Sequence, residues 1–79
     1  SEEILGIPRR ITFMRKERGL GLNECARKAG ISSGVLSRLE DGSTVANVSA
    51  ETILRVAKTL NVSVEWLMTG KHPRVAVVD

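Results

Sequence analysis

The chain has 79 residues, a formal net charge of +3, one phenylalanine, one tryptophan and one cysteine. A domain this short buries only about 60% of the surface its unfolded chain exposes, which leaves no room for a deep catalytic cleft or a second core. The single Cys25 excludes an internal disulfide, no stretch resembles a signal peptide, and the apolar runs are too short to span a bilayer, so a reducing cytoplasm is the expected compartment.

With so few aromatic residues the core must be aliphatic, which suits short helices. Pro8 fits a first helical turn, where its missing N–H would be unpaired anyway. Ile7, Ile11 and Met14 follow at helical spacing, and Gly19 closes the segment. The first helix is predicted over about 8–18.

One pattern then recurs four times. An apolar residue precedes Ser or Gly, and a second apolar residue stands five positions after the first. The pairs are Leu20 with Cys25, Ile31 with Leu36, Val48 with Ile53, and Val62 with Leu67. This is a hydrophobic staple: the residue before the N-cap packs on the fourth residue inside the helix. Ser32, Ser49 and Ser63 are good N-caps, each worth ~1 kcal/mol, and Gly21 is a weaker one. Helices are therefore predicted over 22–29, 33–40, 50–60 and 64–69. The stretch GSTVANV between Asp41 and Ser49 is a polar loop with no helical period.

Trp66 is expected half-buried between the last two helices; the alternative is a contact with a second copy, shared with Met68. Residues 71–79 break the helical pattern. They read as a linker to a further domain, a strand added to a partner, or a disordered end. The first is preferred, because residues 1–70 already complete a helical domain.

The stretch Leu22 to Asp41, LNECARKAGISSGVLSRLED, carries most of the information. Ala26 lets two helix backbones approach closely. Gly30 accepts a left-handed turn that residues with a β-carbon adopt only at a cost. Ile31 and Leu36 then dock the second helix. This is the sequence form of a helix-turn-helix, whose second helix is able to enter a DNA major groove. Residues 9–28 hold seven cations (Arg9, Arg10, Arg15, Lys16, Arg18, Arg27 and Lys28) against Glu17 and Glu24, a local +5. That excess reads either as a face for a polyanion or as ordinary solubilising charge.

The runs GLGLNECARKAGISSGVLSRLEDG and SAETILRVAKTLNVSVEWLMTG resemble the Cro/C1-type, or XRE-type, helix-turn-helix domains of bacterial and phage repressors. The similarity extends over roughly Arg9 to Gly70. It implies an all-α fold, a compact five-helix bundle of the lambda-repressor-like type, in agreement with the helix count above. It also implies a double-stranded DNA operator, palindromic and bound by a homodimer whose recognition helices enter major grooves ~34 Å apart.

By position, the resemblance makes 33–40 the recognition helix and Ser32, Ser33, Gly34, Ser37 and Arg38 the base-contact candidates. Arg38 is the strongest, because a guanidinium bonds guanine O6 and N7 bidentately, worth ~1–3 kcal/mol of discrimination. Arg9, Arg10, Leu22, Asn23, Arg27, Thr44 and Asn47 are the phosphate candidates. Glu40 and Arg15 match positions that pair in some relatives. The sequence departs from the family pattern in three places: Leu22 stands where many relatives carry Gln, the loop after the recognition helix is uncharged, and Gly34 weakens that helix. The uncharged loop, Leu22 and the serine-rich recognition helix motivate a second reading, a protein-interaction module that kept the fold and binds DNA weakly.

Enzyme chemistry is not expected. His72 is the only histidine, and it lies in the tail, so neither a catalytic triad nor a metal set assembles convincingly. Cys25 is read as a small buried hydrophobe and no cofactor is expected.

Overall fold

The computed structural model describes residues 6–43 and 47–71. They form α1 (Gly6–Glu17), α2 (Leu22–Ala29), α3 (Ser33–Asp41), α4 (Ala50–Leu60) and α5 (Val64–Thr69). The bounds of α2, α4 and α5 are those read from the staples. α1 starts two residues before Pro8, because a proline is tolerated anywhere in a first turn whose N–H groups lack partners. It ends at Glu17, although the Arg18 amide still donates to Met14 O at 2.9 Å. α3 runs one residue past Glu40. Tail residues 72–79, His72 among them, lie outside the described residues.

The caps explain these limits. Ser32, Ser49 and Ser63 sit in extended backbone, and each Oγ accepts from the amide three residues on, at Val35, Thr52 and Trp66. Gly21 caps α2 without a side-chain bond. All four inner staple residues, Cys25, Leu36, Ile53 and Leu67, are buried, so each cap is locked by core packing as well as by its hydrogen bond.

α2 ends at Gly30, whose φ of 75° is left-handed. Its amide donates to Arg27 O at 3.1 Å and the Ile31 amide donates to Ala26 O at 3.0 Å. This paired bonding is a Schellman cap, and it turns the chain sharply into α3.

The core joins Ile11 and Met14 of α1, Cys25 and Ala26 of α2, Leu36 and Leu39 of α3, Val56 and Leu60 of α4, and Leu67 of α5. α1 packs on α3, α4 and α5, while α2 packs on α3 and α4. Trp66 is more deeply buried than expected, at 7% exposure, because the short α5 turns its inner face fully onto the bundle. Met68 stays half-exposed. Among the described residues, no helix is long and apolar enough to cross a membrane.

Candidate nucleic-acid interface

α3 buries Leu36 and Leu39 completely, keeps Val35 and Glu40 half-buried, and exposes the rest. Ser32, Ser33, Gly34, Ser37 and Arg38 are all exposed on the outer side of the corner at Gly30. Thus the five base-contact candidates share one solvent-facing surface. Ser32 is also the N-cap: its Oγ accepts from Val35 N at 3.1 Å, which leaves the hydroxyl proton to donate outward. Arg38 lies back along α3 toward its start. A β-carbon on Gly34 would stand 3.5 Å from Arg38 Nη1, an ordinary contact distance.

The orientation of α3 is held from behind. Arg15 Nε and Nη2 donate to the two carboxylate oxygens of Glu40 at 2.6 and 3.0 Å. Thr12 Oγ1 donates to Glu40 Oε1 at 3.0 Å, and Arg15 Nη1 reaches Leu20 O at 2.9 Å. Both charged side chains are largely shielded, with 14% and 12% exposure. A forked, charge-assisted pair in such surroundings fixes direction as well as distance. The hydrogen bond to Glu40 holds the Arg15 pKa above its ordinary value. Next to Glu40, Asp41 accepts from the amide and the hydroxyl of Ser43, and those bonds hold its carboxyl below the usual range. The two adjacent carboxylates at the end of α3 therefore have separate partners.

The phosphate candidates divide. Arg9 on α1, Asn23 and Arg27 on α2, and Asn47 before α4 are exposed. Thr44 lies outside the described residues. Leu22 is half-buried against the core, so its side chain belongs to packing. Arg10 is a correction. It is 5% exposed; its Nε donates to Leu67 O at 2.8 Å and its Nη2 to Met68 O at 3.0 Å. Its guanidinium closes the end of α5 and is held away from any phosphate, and burial lowers its pKa.

Arg18 repeats this at α4, donating to Leu60 O at 2.8 Å and Asn61 O at 3.3 Å. Unbonded carbonyls and the negative end of the helix dipole both favour a cation there. Three of the seven cations in residues 9–28 thus serve helix ends or the Glu40 pair. Arg9, Lys16, Arg27 and Lys28 remain exposed.

A feature the sequence reading missed lies beside Arg38. Val35 and Arg38 of α3, Asn47, Val48 and Ser49 before α4, and Thr52 of α4 line an open groove of about 360 Å³. Val48 carries a signal in the sequence, as a staple residue. Its proximity to Val35 depends on how α4 packs, and no local pattern records that.

Cys25 is buried without a partner thiol, and burial pushes its pKa up. Among the described residues, no group of three metal-ligating side chains comes together.

A bundle of this order, with a glycine corner and a supported, outward-facing third helix, has the architecture of a helix-turn-helix protein. The family model described as "Helix-turn-helix domain" matches residues 9–73. The chain belongs to the Cro/C1-type helix-turn-helix family. It is 39% identical over 66 residues to the HTH-type transcriptional regulator SinR of Bacillus subtilis, covering 84% of this chain and 59% of that protein. The chain thus spans under two thirds of that relative's length. A crystal structure of SinR in complex with DNA superimposes with a TM-score of 0.73 at 39% identity, over 77% of this chain and 95% of that one. The P22 c2 repressor protein, solved with a synthetic operator, superimposes with a TM-score of 0.78 at 24% identity, over 85% and 98% of the two chains, a likeness of fold.

Proposed function

We propose that this chain is the DNA-binding domain of a sequence-specific transcriptional regulator, a repressor, that places α3 in the major groove of a palindromic operator as a homodimer. The observation that carries the reading is the division of α3. Leu36 and Leu39 are fully buried, while Ser33, Gly34, Ser37 and Arg38 face solvent together. Arg38 reads guanine, the serines and Asn47 bond phosphates or base edges, and Arg9, Asn23 and Arg27 clamp the backbone. The relationship to SinR, solved with DNA, supports the reading. It involves no catalytic step and is carried out in the cytoplasm.

Selection from a random duplex library, followed by a salt titration, tests it. The expected result is an enriched palindrome whose binding falls steeply with salt, because each neutralised phosphate releases counterions. A featureless pool, bound weakly and without sequence preference, would overturn the proposal in favour of the protein-interaction module.

A further inference from the structure

Gly30 and Asn61 end α2 and α4 in the same left-handed conformation, with φ of 75° and 59°. Asparagine tolerates that region because its short polar side chain bonds locally. The left-handed turn by itself therefore does not demand glycine at position 30. What glycine adds is room for Arg55 of α4. Arg55 Nη1 lies 2.6 Å from the point a β-carbon on Gly30 would occupy, so a β-carbon there would push the guanidinium away. The guanidinium rests against the bare face of the corner between α2 and α3.

Arg55 is held there from its other side. Its Nε and Nη2 both donate to Glu51 Oε2, at 3.2 and 2.8 Å, one turn back along α4. With side chains 48% and 71% exposed, the pair itself adds little to stability. Its placement has the larger consequence. A cation stands at the negative end of α2, and α4, which packs on α2, reaches the corner from which α3 departs.

We infer that Arg55 is a positioning residue for operator recognition: it wedges the α2–α3 corner, so that the phosphate contacts of α2 and the base contacts of α3 keep one spacing. This rests on the DNA-binding reading above. A base contact needs its donor within hydrogen-bond reach of one edge, whereas phosphate oxygens recur along the backbone. A small swing of α3 therefore costs sequence preference before it costs general attraction to DNA.

The test uses the operator obtained by selection and an unrelated duplex of the same length. Arg55→Gln removes the charge, Arg55→Lys keeps it, and both lose the fork to Glu51. Gly30→Asn keeps the left-handed turn and puts a β-carbon where Nη1 lies. Affinities are measured across a salt series for the parent, these variants and Gly30→Asn combined with Arg55→Lys. Thermal melts show that each is folded, and the two Arg55 variants, at an exposed position, decide the matter if Gly30→Asn is not. Each single variant is expected to lose at least about five-fold in affinity for the operator, the lower end of what one good base contact is worth. Binding to the unrelated duplex and the salt slope stay close to the parent's. The double variant loses no more than the larger single loss, because both changes remove the same wedge.

Unchanged operator affinity in folded Arg55→Gln and Arg55→Lys would overturn the inference, as would losses that add in the double variant. If Arg55→Gln weakens both duplexes alike and lowers the salt slope by about 1 while Arg55→Lys binds as the parent does, Arg55 touches a phosphate directly and the positioning role is wrong. Failure to select any operator removes the DNA-binding reading itself, which is a distinguishable outcome.

Discussion

Arg15 of α1 and Glu40 of α3, 25 residues apart, meet through two hydrogen bonds of 2.6 and 3.0 Å behind the exposed face of the helix-turn-helix. Removing one partner strands the other in a largely shielded site. Glu40→Ala and Arg15→Ala are each expected to cost about 2–3 kcal/mol in urea denaturation, the range for hydrogen bonds to charged groups. The double variant should lose clearly less than the sum. Additive losses would show that the pair is not coupled.

Arg9 and Arg10 are neighbours with different work. Arg9→Ala is expected to reduce the slope of log affinity against log salt by about 1, with little change in stability. Arg10→Ala leaves that slope unchanged and destabilises the fold by about 2–3 kcal/mol, because the carbonyls of Leu67 and Met68 lose their donors. Arg10→Lys does not restore it, since an ammonium lacks the fork that reaches both. Fluorescence anisotropy across a salt series, paired with denaturant melts, checks both variants.

The same substitution has opposite signs at two glycines. Gly30 has φ of 75°, so Gly30→Ala should destabilise by about 1–2 kcal/mol, and Arg55 Nη1 must also move from 2.6 Å off the new β-carbon. Gly34 lies inside α3 with room for a β-carbon. Gly34→Ala should stabilise by up to about 1 kcal/mol while disturbing base reading. Calorimetry measures the first effect and library selection the second.

Cys25 gives a pH signature. Burial, the largest cause, raises its pKa above the ordinary value of 9.0, with Glu40 adding to it. A proton held more tightly in the folded state stabilises the fold fully below the unfolded thiol pKa. That contribution is lost as pH rises through the higher, folded value. Stability should therefore decline above about pH 9, and Cys25→Ala, though less stable overall, should decline less. Iodoacetamide at pH 8 is expected to label the native thiol only as fast as the domain opens.

Arg38→Ala should relax preference at one base pair per half-site by about 1–3 kcal/mol and leave the others unchanged. Competition binding against operators mutated at each position reads this directly. Equal affinity for the unaltered operator would remove Arg38 from base reading.

The helices, and the limits of α2, α4 and α5, follow from the sequence because they rest on contacts within about five residues. A serine oxygen bonds the third amide beyond it, a staple closes over five positions, and Gly30 turns at its own backbone. Such terms act before the chain is folded, so the pattern Ile31, Ser32, Leu36 already contains them. What Arg10 and Arg18 do was settled only by packing. Arg10 and Arg9 look alike along the chain; Arg10 becomes a cap because α1 delivers it to the end of α5, which leaves carbonyls needing a donor. Arg18 likewise acquires the end of α4. The groove at Val35 exists because the segment Asn47–Ser49 that leads into α4 comes beside α3, which happens only when the core closes.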